Sequence, residues 1–519
     1  MPLGKTYRQV LDASPDQVEL VLDIPSFAGG ENTVGQDQEL KSNEARVIEN
    51  WDSDSLGGMI RSKGFTSVAT GGATYSTAPD GLLHHYEGTS TRDYVVIGGD
   101  LARINGSSIT QTDASKFTSG TLTCGLSAGN RAWFTNATDN LKYTTIAGSV
   151  TVPTGTPPLA RERIYYHKSR LIAEGGGVTL YGSRAGTGNW HASADTWTAS
   201  GDAWSIDLPD LTQGCVPGFP SGGQITVFTK FGAYAITGMP NVAQNYILGS
   251  HGCSQPYSIQ LGSEGVYLFS LYPTLGVFLW DGSTWINLTV NETWVSTVSL
   301  TNRCFGSYSE NKYRFYYNDN TSGQTYPNKC RIYDAKWGRW MDRTINSSVG
   351  DNFGIPMLRA KVGNELYVAS SRNDVIYQME DTSNSDNTYN TIANYKTKDF
   401  TSKDFGLPRD EVRMKLLKAT VTFYGTTGTF SLAWSSDRGR ASGSMSFDLQ
   451  AKGDLLNTTF TMNTSYIIDA ASLPDKTVTR SFSNSAVGQR FSFQLLNSAT
   501  GERVKIKKIK IVAIALSEA

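Results

Sequence analysis

Two adjacent histidines, His84-His85, are the first residues in this chain that could do chemistry together. Shared metal ligation would need both imidazoles on one side of the backbone. In an extended segment successive side chains point to opposite faces, so neighbouring histidines cannot close on one ion. The other three histidines, His167, His191 and His251, are dispersed. The five cysteines (Cys124, Cys215, Cys253, Cys304 and Cys330) are odd in number, and none forms a C-x-x-C pair. Reduced, buried thiols are expected rather than a disulfide frame or a zinc site.

Other chemical motifs are sparse. The chain contains no phosphate-cradling G-x-x-x-x-G-K-[ST] and no H-E-x-x-H. No G-x-S-x-G follows a strand as a nucleophile elbow. The run Ser435-Ser436-Asp437-Arg438-Gly439 matches half of the turn repeated in sialidase-type propellers, without its closing Thr-Trp. Read structurally, it is a hairpin turn in which Asp437 caps backbone N–H groups. Nothing in the sequence singles out a pair of carboxylates for glycoside hydrolysis. No catalytic, cofactor-binding or metal-ligating residue is therefore assigned. The one basic cluster runs from Arg503 to Lys510, with Val504 and Ile506 on one face and Lys505 and Lys507 on the other. It reads as a solvated strand face whose lysines block edge-to-edge pairing. The alternative is a positive strip facing another subunit or a nucleic acid.

The elements that would position these residues are strands. Of 519 residues, 52 are Gly and 57 are aromatic, and charged residues reach only 18%. That is the usage of short strands joined by tight turns. The formal net charge of −1 argues against a surface built throughout to neutralise phosphates. No apolar run is long enough for a transmembrane helix. Met1 to Leu11 is polar, so no secretory signal is expected.

Residues 1–65 read as a docking segment. It holds a strand over Val18–Ile24, a Gly-rich turn and a helix over 38–50, with Leu40, Ala45, Val47 and Ile48 as its apolar positions. From 66 to 394 paired apolar runs recur, with strands beginning near Tyr94, Ala132, Leu171, Ile225, Val266, Tyr313 and Glu365. Their spacing of about 38 to 54 residues without a helical pattern is the mark of a β-propeller. Six or seven blades are expected, with aromatics such as Trp280, Trp285, Trp337 and Trp340 wedged between them. The polar stretch 381–391 marks a boundary, and 395–519 reads as a C-terminal β-sandwich. The fold class is all-β.

The opening segment carries a family resemblance. It reads Ile24-Pro25-Ser26-Phe27-Ala28-Gly29-Gly30-Glu31-Asn32-Thr33, then Leu40, Asn43-Glu44-Ala45, Asn50-Trp51, Gly57-Gly58 and Arg61-Ser62-Lys63-Gly64-Phe65. This resembles the start of tailed-bacteriophage virion proteins that contain a propeller: the nozzle, tail-tube or DNA-stabilisation proteins of short-tailed phages. Two further echoes are Arg170-Leu171-Ile172-Ala173 leading through Val178–Arg184 to Trp190, and Gln224 to Gly238. Glu31 and the polar first twenty residues have no counterpart in that pattern.

The resemblance implies a non-enzymatic virion subunit, assembled in the host cytoplasm into a symmetric homo-oligomer, commonly a hexamer. Copies would surround the DNA exit channel, retaining and conducting the genome without sequence-specific contacts. Adaptor or portal proteins and tail fibres would be its neighbours, and the C-terminal domain would form the platform between subunits. No cofactor is implied. Low charge suits a passive conduit, because each phosphate neutralised strengthens attachment. A carbohydrate-binding or glycan-cleaving propeller acting in host-surface recognition is the alternative. An intracellular scaffold propeller that recruits peptides is a third.

Overall fold

The computed structural model describes residues 19–27, 29–33, 40–53, 57–62, 64–153, 157–185, 203–290, 292–320, 327–343, 353–359, 365–379, 393–423, 429–437, 439–448, 476–497 and 504–516. Among them the regular structure is strand, broken only by short 3-10 turns at Pro256–Ser258 and Trp294–Thr297. No helix among the described residues is long and apolar enough to cross a membrane. The chain divides into two compact units. One comprises 65–335 and 345–381, and the other comprises 1–64, 336–344 and 382–519.

The first unit is a seven-bladed propeller. Each blade is an antiparallel sheet of consecutive strands. Blade 1 holds Pro79–Glu87, Ser90–Ile97, Asp100–Asn105 and Ser108–Asp113. Blade 2 holds Thr123–Ala128, Arg131–Asn136 and Lys142–Thr144. Blade 3 begins with Arg163–His167, Arg170–Glu174 and Thr179–Gly182 and ends at Trp204–Asp207. Blade 4 runs from Thr212–Pro217 through Ile225–Thr229 and Ala233–Thr237 to Ala243–Tyr246. Blade 5 holds Gln260–Leu261, Val266–Ser270, Gly276–Trp280 and Trp285–Asn287. Blade 6 holds Phe305–Ser309, Lys312–Tyr317 and Lys329–Asp334.

Blade 7 closes the ring. Its own strands are Phe353–Arg359, Glu365–Ser370 and Val375–Met379. Its outer strand is Phe65–Thr70, from the beginning of the unit, antiparallel to Val375–Met379 with Met379 opposite Phe65. The first strands touch in order: blade 1 on 2, 2 on 3, 3 on 4, 6 on 7, and 7 back on 1. Between blades 4 and 6 the turn Pro256–Ser258 and the first strand of blade 5 complete the circle.

Each blade has two apolar faces that neighbours must cover, and each junction has its own packing. Leu83, Tyr94 and Phe134 join blades 1 and 2. Trp133, Ile164 and Leu171 join 2 and 3, and Ile172, Trp204 and Val227 join 3 and 4. Phe228, Leu268 and Trp280 join 4 and 5. Tyr267 lies flat on Tyr313 at 4.9 Å between 5 and 6, and Tyr316 meets Phe353 at 5.3 Å between 6 and 7. Val95, Tyr367 and Ile376 close 7 onto 1. The strands predicted near Tyr94, Ala132, Leu171, Ile225, Val266, Tyr313 and Glu365 are the second strands of the seven blades in turn. These strands are sandwiched on both faces, so they carry the longest apolar runs.

The second unit is a sandwich built from both ends of the chain. One sheet pairs Lys476–Ser481, Met414–Phe423, Lys505–Ala515 and Glu19–Ile24, all antiparallel. The other orders Glu44–Glu49, Ala393–Thr397, Arg490–Asn497, Thr429–Ser436 and Ala441–Asp448. Phe482, which follows a strand of the first sheet, meets Trp434 and Phe493 of the second at 6.3 and 6.4 Å.

This nesting corrects the expected linear order of 1–65, 66–394 and 395–519. The β-sandwich expected after 395 also contains the opening strands and Arg339–Arg343, whose Asp342 pairs with Glu49. Trp340 is buried in that strand, which is grouped with the sandwich unit. The helix expected over 38–50 is also replaced. Glu44–Glu49 is a strand, with Ile48 opposite Tyr395 and Ala45 opposite Thr397. Pairing across the sheet outweighs a helical tendency that has only local support. Met1 to Leu11, the boundary 381–391, the turn 425–428, Arg438 and Arg503 lie outside the described residues.

Candidate functional site: the axis of the propeller and its mouth

The His84-His85 pair sits in the first strand of blade 1, and the strand's alternation separates the two rings. His84 Nδ1 lies 2.6 Å from Asp93 Oδ1. Asp93 Oδ2 is 3.0 Å from Arg359 Nε of blade 7, and Arg359 Nη1 donates to the Tyr367 hydroxyl at 2.7 Å. His85 turns the other way, to Ser127 Oγ of blade 2 at 2.9 Å. Burial, helped by His84 and Arg92 against Glu87, pulls its pKa down to about 4. The two imidazoles fasten blade 1 to opposite neighbours. His167 and His251 lie apart from them, the latter stacked on Phe278 at 3.8 Å. His191 lies outside the described residues. Among the described residues no three His, Cys, Asp and Glu side chains gather as metal ligands would.

From blade 3 to blade 6 the interior is packed with polar and aromatic side chains. Glu174 and Arg163 of blade 3 form a two-point ion pair, with Nη2 to Oε2 at 3.1 Å, and Glu174 is wholly buried. The Tyr165 hydroxyl donates to Glu174 Oε1 at 3.1 Å and accepts the Cys215 N–H of blade 4 at 3.2 Å. The Arg163 guanidinium lies 5.3 Å from the Tyr257 ring. Tyr313 of blade 6 donates to the Ser258 carbonyl at 2.9 Å. Cys215, Cys253, Cys304 and Cys330 are buried, and none of the five thiols is in a disulfide. Burial drives the Cys253 thiol up to about 12, so it stays a protonated, inert group.

The starts of the first strands of blades 6, 7, 1 and 2 surround a cavity of about 580 Å³. These four blades are consecutive around the closed ring. Asp80, Arg303 and Arg372 bring its charges. Asp80 Oδ2 accepts the Gly120 N–H at 3.0 Å. Burial lifts the Asp80 carboxyl to about 6, against the opposing pull of that N–H and of Arg303. Ser371 also lines the cavity, and its hydroxyl is shielded from solvent without a hydrogen-bond partner. Reasoning from sequence missed this site. Its residues come from stretches in and between strands of four blades whose meeting depends on ring closure, and no local motif marks them.

The remaining candidates resolve as structural parts. Asp437 Oδ1 accepts the N–H groups of Gln489 and Arg490 at 2.8 and 3.0 Å, so it does cap backbone donors, on the neighbouring strand. Trp280 stacks on Trp285 at 5.5 Å across a turn in which Asp281 accepts the Ser283 and Thr284 N–H groups at 2.8 and 2.7 Å. The lysine strand Lys505–Ala515 is not an edge, because Met414–Phe423 and Glu19–Ile24 flank it. Lys508 lies 2.7 Å from Asp23, and Lys418 lies 3.5 Å from Glu19.

No protein-family model matches the chain, and no curated protein sequence matches it. Solved structures similar to it include three propeller-like or extracellular domains. The extracellular domain of the proposed one component system BT4673 from B. thetaiotaomicron is 11% identical with a TM-score of 0.42, over 61% of this chain and 40% of that one. The WD40 β-propeller domain of Doa1 is 9% identical with a TM-score of 0.40, over 62% of this chain and 98% of that one. The N-terminal domain of Nup159 is 9% identical with a TM-score of 0.39, over 65% of this chain and all of that one. The chain spans less than two thirds of the length of the Bacteroides domain. At these scores the likeness carries no argument, and the seven-bladed ring rests on the strand pairing described above.

Proposed function

We propose that this chain is a structural, non-enzymatic subunit of a bacteriophage tail, of the nozzle or DNA-stabilisation type. Copies form a symmetric ring, of six in our reading, around the channel through which the genome leaves. The observation that carries this reading is where the residues of the opening signature sit. They are a frame: Phe27 N–H donates to Gly57 O at 3.0 Å, Gly29 N–H to Asn43 O at 3.1 Å and Asn32 N–H to Ala45 O at 2.9 Å. Trp51 is fully buried among them, and Arg61 N–H reaches Val504 O at 2.9 Å. A signature spent on joining the first and last strands of a sandwich is what an assembly module needs.

Arg163, Glu174, Tyr165 and Tyr257 pack inside the propeller between blade 3, blade 4 and the turn before blade 5, and in our reading the genome's path lies between subunits and outside each propeller. The exposed sheet face carries Lys415, Lys418, Lys508 and Lys510 with Glu19 and Asp23, and two of these lysines are engaged within it, Lys418 by Glu19 and Lys508 by Asp23. Native mass spectrometry of the purified chain, followed by cryo-electron microscopy of phage particles, tests the reading. A closed ring and matching tail density are expected. A monomer at every concentration, with no tail density that fits the two units, overturns it.

A further inference from the structure

The tail reading makes no use of the cavity at the propeller mouth. Its volume of about 580 Å³ is far more than an inorganic ion fills, and it falls within the usual size of ligand sites. Two guanidiniums, Arg303 and Arg372, line it against one carboxyl, Asp80. One Asp80 oxygen is already held by Gly120 N–H, and burial weakens the hold of the group on its negative charge. The balance favours a ligand that brings a negative charge of its own, with guanidinium as the natural partner for a carboxylate.

The rest of the lining calls for more than charge. Ser371 has a shielded hydroxyl without a partner, which is unfavourable unless something in the cavity bonds to it. Asn302 adds an amide, and Phe305 offers an apolar surface beside these polar groups. A molecule with a carboxylate, several hydroxyls and a C–H face meets all three demands.

We propose that the propeller mouth binds the acidic residue of a saccharide, with Arg303 and Arg372 holding its carboxylate and Asp80, Ser371 and Asn302 meeting its hydroxyls. This goes beyond the tail reading and stands without it. The ligand is a sugar acid, either free or at the end of a cell-surface polysaccharide.

Isothermal titration of the full chain with sodium glucuronate tests this, with glucose, acetate and inorganic phosphate as controls. Saturable binding of glucuronate is expected, with each control weaker by about tenfold or more. Arg303→Ala should lower glucuronate affinity at least about tenfold, without a change in melting temperature. Asp80→Asn keeps an acceptor for Gly120 and removes a like charge, so it should tighten glucuronate binding near neutral pH. A hexuronate oligosaccharide that binds as well as the monosaccharide assigns the pocket to a chain end, and one that is excluded assigns it to the free acid. Absence of binding, phosphate or glucose binding as tightly as glucuronate, or loss of binding in Asp80→Asn overturns the proposal. The Asp80 variant keeps the test decisive even if Arg303→Ala fails to fold.

Discussion

Glu174 accepts Arg163 at two points in the interior of the propeller, on paired strands of blade 3 where neither residue reaches water. Removing Glu174 leaves the buried Arg163 with the partly exposed Glu162 carboxylate, 2.9 Å from its Nη1, as its remaining ion-pair partner in a poorly solvating interior. Glu174→Leu should therefore destabilise the propeller by about 3–5 kcal/mol, whereas replacing both residues with apolar side chains of similar volume should cost much less. Urea denaturation of the two variants checks this. Equal losses in the single and double variants would show that packing, and not the stranded charge, sets the cost.

Gly30 tests the signature as a frame. It has φ of +83°, and a Cβ there would stand 2.5 Å from the Arg339 Cβ. Gly30→Ala should destabilise the sandwich unit by more than about 1 kcal/mol. It should leave blade packing, followed by tryptophan fluorescence of the propeller, near its normal midpoint. A neutral effect would remove the structural reason for the Gly-Gly pair.

Asp80 gives a pH signature. Its folded pKa of about 6 lies above the ordinary 3.8, so between those values the folded state binds more protons than the unfolded one. Stability from this group is fully present below the ordinary value and is lost as pH rises through about 6. Asp80→Asn should therefore melt above the parent at neutral pH, with the gap closing below about pH 4. His85 works in the opposite direction. Its folded pKa is pulled down to about 4, so its contribution is lost as pH falls below the ordinary imidazole range. His85→Gln should flatten the acid limb of the melting curve. Melting temperatures measured across pH separate the two effects.

The thiols make the last prediction. With no disulfide and four cysteines buried, an aromatic disulfide reagent at mildly alkaline pH should label at most one site quickly, the half-buried Cys124. All five should react once the chain is unfolded. Rapid labelling of Cys253, whose thiol is pushed up to about 12, would contradict the filled interior.

The sequence made the blades legible because the second strand of each is covered on both faces, so Val266–Phe269 is an unbroken apolar run and Tyr313–Tyr317 is interrupted only by Arg314. Those runs left six or seven blades open, and the strand pairing settles seven. The segment 38–50 misled because Glu44–Glu49 is stabilised by Ala393–Thr397, some 350 residues away, and no local pattern records that partner. The same holds for the sandwich, whose strand Lys505–Ala515 reads as an exposed edge until Glu19–Ile24 is placed beside it. The mouth cavity was the least legible part. Asp80 lies in the first strand of blade 1, Arg303 just before that of blade 6 and Arg372 just after the second strand of blade 7, and they line one cavity only once the ring closes.

The pairing of Ile24 with Ile509 sets a timetable for synthesis. Nearly five hundred residues separate them, which a ribosome adds in roughly 25–100 s at ~5–20 residues per second. Until then the emerging chain carries its first strand bare, while Phe65–Thr70 waits for Val375–Met379. Two nested closures leave open hydrogen-bonding edges on a nascent chain for most of its birth, so its yield in a cell should depend on chaperones that shelter such edges far more than on the stability of the finished molecule.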